Sequence, residues 1–520
     1  MLILLLELLV LVIALAQFAR LAMKPGFRMV TVWRPGWKWP LVMGGMTAGA
    51  LGLWAWVRWP IFRHVAAAIL AAVMLAAWWR ARPSYGRRRR LPPGSLGIGV
   101  SLDALERQGF YLEQARQFGP VFKTSEFGNP VICVVGLSRI RAILAEHAEC
   151  FAGTPFTRPY NRFIPRGVLR YMDRSTHQQY APPFRSTYGG LELNRASPVL
   201  RTIFGTHLHR LAADGPPGGE GVLVHGYIRR AMLEAIGFVL YGLHPGNPSL
   251  DTLERWMPVL NAPIHRSRGW QRRTTDAMRV LGKVLKDQAS QPTPLPGGFR
   301  PALRALVGTN PAALEDPTVA GNFILIAKIA HGDLTGLHMW IFKKLCEHAE
   351  ALEPIRRGLD PTPVVPGAES NPAVRIVKET LRMEQSEFLF RAVVRAFDYQ
   401  GLRIPRASRV RFCIQESHRD PEVFPDPDRF DPDRFARRTY SREEYAPFGL
   451  DAHGCMGSEM AHFLGGLFVE ELARFDWRVT DDGPPEMTGN RHRDHWRPSS
   501  KLRVTMTTSL FRPDGLEQSG

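Results

Sequence analysis

From Ser101 onward, apolar side chains recur mostly at every third and fourth position, with a few short, denser β-branched runs between them. This spacing predicts helices over "LDALERQGFYLEQARQFG" and "LSRIRAILAEHAECF", with "PVFKT" and "PVICVVG" forming a hairpin around "FGNP". A long apolar helix spans 319–348, interrupted at "HGD". An amphipathic helix spans 373–385, and an apolar helix spans 456–475. "RIPRASRVRF" reads as strand and turn. Residues 291–301 and 418–435 are too rich in Pro, Gly and Asp for regular structure. The fold class is therefore mainly α with small β-sheets.

The first 100 residues follow another pattern. Three apolar runs, 1–19, 40–57 and 61–79, are separated by basic loops, and tryptophans cluster at their ends. A span needs about 20 apolar residues, and interfacial Trp and Lys/Arg asymmetry mark its ends and its orientation. The loop from Arg20 to Lys38 carries five basic residues and the stretch from Arg80 to Arg90 carries six. Three spans would then put the N-terminus outside and the bulk of the chain in the cytoplasm. One anchor with an interfacial hairpin, or a cleaved leader, are the alternatives. "RRRRLPPGSLG" at 87–97 reads as a hinge. The organisation expected is a membrane segment 1–86, a hinge 87–100, a catalytic domain 101–510 and a tail 511–520.

Charge sharpens this division. The chain has 520 residues, 67 Lys+Arg and 48 Asp+Glu, a net +19. Such an excess usually signals nucleic acid or an anionic membrane surface. Thirteen basic residues and one acid lie in the first 100, so +12 belongs there and +7 to the rest. Eight of the 13 Trp share that segment. Basic clusters alternating with apolar runs describe contact with membrane lipids, and no nucleic-acid partner is expected.

The five cysteines, Cys133, Cys150, Cys346, Cys413 and Cys455, are odd in number and lack CxxC spacing, which argues against a disulfide framework or a closed zinc site. Four sit in apolar contexts. Cys455 lies in "FGLDAHGCMGSEMA", between Gly454 and Gly457 and directly before an apolar helix. A thiolate there is favoured by the helix N-terminus, and the glycines admit a planar ligand. From the residues alone, a structural cysteine and the single axial ligand of a haem both stay open.

Around this loop the chain resembles the cytochrome P450 family of haem-thiolate monooxygenases, from about Leu91 to beyond Arg478. The Cys-loop pattern falls on Phe448, His453, Cys455, Gly457 and Ala461, with Asp451 where the family has glycine. Glu379 and Arg382 match the E-x-x-R pair, and Phe430 to Phe435 matches the element that supplies Arg434. The resemblance implies haem b held by the Cys455 thiolate. It also implies a buried triad of Glu379, Arg382 and Arg434, and propionate contacts from Arg391, His453 and His177. The arginine expected four residues after His177 is Ala181, for which Arg185 is a substitute.

The long helix departs most. In "AKIAHGDLTGLHMW", Asp333 fills the acid position, but the neighbouring alcohol is Leu334. Leu has no exchangeable proton. Three readings follow: Thr335 takes over, water or a substrate hydroxyl serves, or the enzyme does not activate dioxygen. The function implied is a membrane-anchored monooxygenase hydroxylating or epoxidising a small lipophilic substrate, with Asp333 and Thr335 as catalytic residues. No flavin or iron–sulfur region is visible, so a separate ferredoxin or flavoprotein reductase is implied. A peroxide-driven or isomerase-type enzyme, and a non-catalytic haem-binding protein, are the rival readings.

Overall fold

The computed structural model describes residues 12–13, 60–81, 90–97, 100, 103–104, 107–126, 129–152, 160, 162–260, 268–291, 300–358, 371–385, 389–450, 454–487 and 496–508. The chain divides into two compact units, Met1–Val135 with Val393–Arg411, and Gly136–Ala392 with Phe412–Gly520.

The first unit contains helix α1, Pro60–Ala81, and the predicted hairpin, Val121–Glu126 paired antiparallel with Asn129–Val135 so that Phe122 faces Cys133. A second hairpin pairs Phe397–Tyr399 with Leu402–Ile404. Its two turn residues, Gln400 and Gly401, both have positive φ (49° and 77°), as a tight two-residue hairpin requires.

The apolar runs at 1–19 and 40–57 fall outside the described residues except for Val12 and Ile13. The third run forms α1, which exposes Ile61, Val65, Ile69 and Val73 at four-residue intervals. Among the described residues no helix is long and apolar enough to cross a membrane, so the three-span reading gains no support. Within this run the stretch between His64 and Arg80 is Val65–Trp79, about 22 Å at 1.5 Å per residue, against a hydrocarbon core of about 30 Å.

The second unit is mainly helical: α2 Arg174–Gly189, α3 Leu193–Asp214, α4 Val224–Ile236, α5 Pro317–Glu347, α6 Pro372–Thr380 and α7 Ser458–Leu472 organise it. A three-stranded antiparallel sheet has Arg503–Thr508 between Val222–Leu223 and Phe475–Asp481. Helix α5 packs against α4, α6 and α7, and α3 against α4 and α7.

Helix α5 starts where Asp316 accepts the Thr318 N–H (2.7 Å) and Pro317 occupies the first turn. It then runs unbroken for 31 residues through His331-Gly332-Asp333, where an interruption had been expected. A mid-helix glycine costs about 1 kcal/mol relative to alanine, too little to break a buried helix. Side chains also hold the carbonyls of this stretch. Thr335 donates to His331 O (2.7 Å), Arg497 to Gly332 O (3.2 Å), and His338 Nδ1 to Leu334 O (2.7 Å).

Candidate active site

The Cys455 loop reaches α7 through a glycine-bracketed turn. The Cys455 N–H donates to Phe448 O (2.9 Å), closing the loop on itself. Gly449 has φ of +95°, a conformation that side-chain-bearing residues rarely adopt. A Cβ at Gly449 would lie 3.7 Å from Gly454 Cα, and one at Gly457 would lie 3.9 Å from Cys455 Sγ. The absence of side chains here leaves the approach to the sulfur clear. Cys455 is the only cysteine facing the cavity described next, and the residue is exposed within it.

That cavity has an empty volume of about 1410 Å³, part of it open to solvent. The Cys455 loop forms one wall. Helix α5 lines another with Asn322, Ile326, Ala330, Asp333, Leu334 and Leu337. Cations come from Arg170 and, on α2, from Arg185, and His177 of α2 adds an imidazole. The donor set suits a flat, largely apolar ligand with anionic edges that supplies the remaining ligands of its own metal. Among the described residues no group of three or more His, Cys, Asp and Glu side chains converges as a metal site. Cys455 with a cleared approach, an apolar ceiling and cations at the side therefore fit haem.

Local structure explains the positions of these groups. Asp173 caps α2, its carboxylate accepting the Thr176 N–H at 2.8 Å. That bond, followed by Ser175, holds the carboxyl below its ordinary range. The cap fixes the first turn, where His177 is buried and faces the cavity. Tyr188, near the end of α2, also lines the cavity. Burial, and then the charges of Tyr241 and Cys455, push its phenol above the usual tyrosine range, so it stays neutral. The segment before α2 is clamped to α5 by Asn322. Its Oδ1 accepts the Leu169 N–H (2.7 Å), and its Nδ2 donates to Gly167 O (3.1 Å). This clamp presents Arg170, a lining residue that no sequence pattern flagged.

The structure brings Asp333 and Leu334 to the cavity but leaves Thr335 out. The Thr335 hydroxyl is committed to the backbone at His331, and the residue is buried. Burial pushes the His331 imidazole down to about 4, and its Nε2 donates to Arg229 O (3.0 Å). Arg391 is buried and donates to Phe390 O (3.0 Å). It is not itself a lining residue, although Leu389 is. His453 and Asp451 lie outside the described residues.

Behind the Cys loop lies the triad. Glu379 lies in the last turn of α6, and Arg382 follows in a π-helical turn, Leu381–Gln385. Both are fully buried, so this is no surface ion pair. Arg382 donates Nε to Glu379 Oε2 (2.8 Å) and Nη2 to Oε1 (2.9 Å). Arg434 Nε (3.1 Å) and the Asp431 N–H (2.9 Å) also reach Oε1. Arg434 further donates to Pro425 O (3.0 Å), and Arg382 to His418 O (2.9 Å), which ties the irregular 418–435 segment to α6.

The family model described as Cytochrome P450 matches residues 373–506, which contain both the triad and the Cys loop. Abscisic acid 8'-hydroxylase of Solanum lycopersicum is 24% identical over 423 residues, covering 76% of this chain and 87% of its own. Cytochrome P450 26A1 of Gallus gallus is 24% identical over 435 residues, with the same coverages. A cyanobacterial cytochrome P450, CYP120A1, solved with retinoic acid, superposes with a TM-score of 0.65 at 22% identity, covering 81% of this chain and 99% of that one. Over residues 373–506 the chain carries the Cytochrome P450 family pattern, and its fold is similar to that of a solved cytochrome P450. The cofactor is accordingly haem, iron protoporphyrin IX with a cysteine thiolate ligand, and the mainly helical fold expected from patterning is that of the solved cytochrome P450 structures.

Proposed function

We propose that this protein is a haem-thiolate monooxygenase in which Cys455 supplies the thiolate and the α5 wall receives a lipophilic substrate. The observation that carries the reading is Cys455 on the wall of a large apolar cavity, with glycines clearing its approach. Haem bound through a thiolate activates dioxygen and transfers one oxygen atom to an organic substrate. His177, Arg170 and Arg185 would offset the propionate charges, with Arg391 and His453 as further candidates. The triad would keep the Cys loop seated. Ala330, Leu334 and Leu337 would hold an apolar substrate and exclude water. Asp333 is the ionisable group that α5 offers the cavity and would hold the proton needed there. A separate electron donor, ferredoxin or flavoprotein reductase, is part of the proposal.

Two of the relatives point to a substrate class. One is named for abscisic acid and another was solved with retinoic acid, both organic acids. Lipophilic acids of that kind should shift the haem spin state on binding. A panel of such acids that leaves the optical spectrum unchanged, while neutral lipids shift it, would overturn the assignment of class. Membrane attachment through the N-terminal segment belongs to the same reading, supported by the exposed apolar stripe of α1 and its basic flanks. So do the division into segments 1–86, 87–100, 101–510 and 511–520 and the cytoplasmic placing of the catalytic part.

One observation favours a second reaction within the same fold. With Leu334 on the wall and the Thr335 hydroxyl tied to His331, α5 offers no alcohol beside Asp333. Peroxide-supported or isomerase-type turnover needs less proton delivery than dioxygen activation. Leu334→Thr is expected to raise the fraction of reducing equivalents that appear in product, and Thr335→Val to leave that fraction unchanged. Coupling measured by cofactor oxidation against product separates the readings. Full activity with peroxide and none with any electron donor would select the second.

A further inference from the structure

His418 opens the irregular 418–435 segment, and its side chain is completely buried. The Ala446 N–H donates to its Nε2 at 3.0 Å across 28 residues of chain. That bond fixes the tautomer: the proton sits on Nδ1 and the Nε2 lone pair faces Ala446. The His418 ring lies 5.3 Å from Tyr445 and 6.0 Å from Phe424. Tyr445 in turn donates its hydroxyl to Lys378 O (2.9 Å). Burial, with the charges of Arg382 and Arg419, pushes the imidazole down to about 3, so it keeps this lone pair at any working pH.

The two ends of this residue face different parts of the site. Its carbonyl takes Arg382 of the triad (2.9 Å). Its imidazole takes the backbone of Ala446, which is itself buried. Pro447 and Phe448 follow directly and line the cavity, and Phe448 O receives the Cys455 N–H (2.9 Å). Hydrogen bonds therefore run from Glu379 through Arg382 and His418 to the irregular segment that leads into the Cys loop.

We propose that His418 is a positioning residue for the Cys455 sulfur: its imidazole anchors the backbone at Ala446 and so ties the thiolate loop to the buried triad. The inference rests on the haem-thiolate reading above. His418 touches neither cofactor nor substrate in this role and acts through the loop alone.

The test compares the holoprotein of the wild type with His418→Leu and His418→Gln. Leucine fills the space but offers no lone pair, leaving the Ala446 N–H buried and unpaired. Glutamine can present its amide oxygen near the Nε2 position. In the reduced carbon monoxide complex, His418→Leu is expected to lose the red-shifted Soret band, in favour of the shorter-wavelength band of thiolate-free haem, about tenfold faster than wild type, the scale of one unpaired buried donor. His418→Gln should keep the wild-type lifetime. Circular dichroism melting of the same samples reports general stability. His418→Leu with a wild-type band lifetime overturns the inference. So does His418→Gln decaying fast while melting at the wild-type temperature, a result that stays decisive if the leucine variant does not accumulate. A wild type with no red-shifted band at all would overturn the haem-thiolate reading itself, whereas a normal wild-type band with unaltered variants removes only this inference.

Discussion

Cys455→Ser is expected to fold with unchanged helix content, to bind haem more weakly, and to lack the red-shifted Soret band of the reduced carbon monoxide complex. Oxygenation should fall to background. Serine is the same shape to within one atom, and Gly457 beside the sulfur carries no side chain to clash with it. The Phe448–Cys455 backbone hydrogen bond does not involve the side chain and should survive. What disappears is an anionic sulfur, since an alcohol does not ionise at neutral pH as a thiol in this position can. The comparison is optical and direct: identical spectra for wild type and variant would show that another group holds the iron.

Glu379→Ala should produce mostly protein without cofactor, with thermal stability lowered by about 3–5 kcal/mol, the cost of breaking a buried ion pair. Glu379 Oε1 alone receives three donors, from Arg382, Arg434 and the Asp431 backbone, and Oε2 receives a fourth. Removing this carboxylate leaves two guanidinium groups, each no more than 3% exposed, without their anion. Folded domains are stable by only about 5–15 kcal/mol, so a loss of this size uses much of the margin. Glu379→Gln keeps the shape and loses the charge, and should fall between the two. Melting temperature and haem per protein are the readouts. A Glu379→Ala variant with wild-type values of both would remove the triad from any role in seating the Cys loop.

Helix periodicity made most of the second unit legible. The α5 face that lines the cavity, Ala330, Asp333, Leu334 and Leu337, follows the i, i+3, i+4, i+7 pattern, and Thr335 lies off that stripe. Spacing alone thus separates Thr335 from the lining face. The Cys loop was legible for another reason, its glycines and cysteine being adjacent in sequence. Arg170 and His418 were not legible. Each acts through partners far along the chain, Leu169 with Asn322 and Ala446 with His418, and no local period encodes such a contact. The unbroken passage of α5 through "HGD" was missed because carbonyl partners such as Arg497 come from elsewhere in the fold.

The complete burial of Glu379 and Arg382 also separates two kinds of electrostatics by their response to ionic strength. Counter-ions screen charges that water can reach, over about 8 Å at 0.15 M, and act much less on charges enclosed by protein. On the proposed reading, docking of an electron donor depends on the first kind and the seat of the Cys loop on the second, since Glu379 and Arg382 both have zero side-chain exposure. Concentrated salt should therefore dissociate the donor while leaving the Cys loop in register, so that electron delivery can be switched off in a buffer that preserves the intact cofactor site.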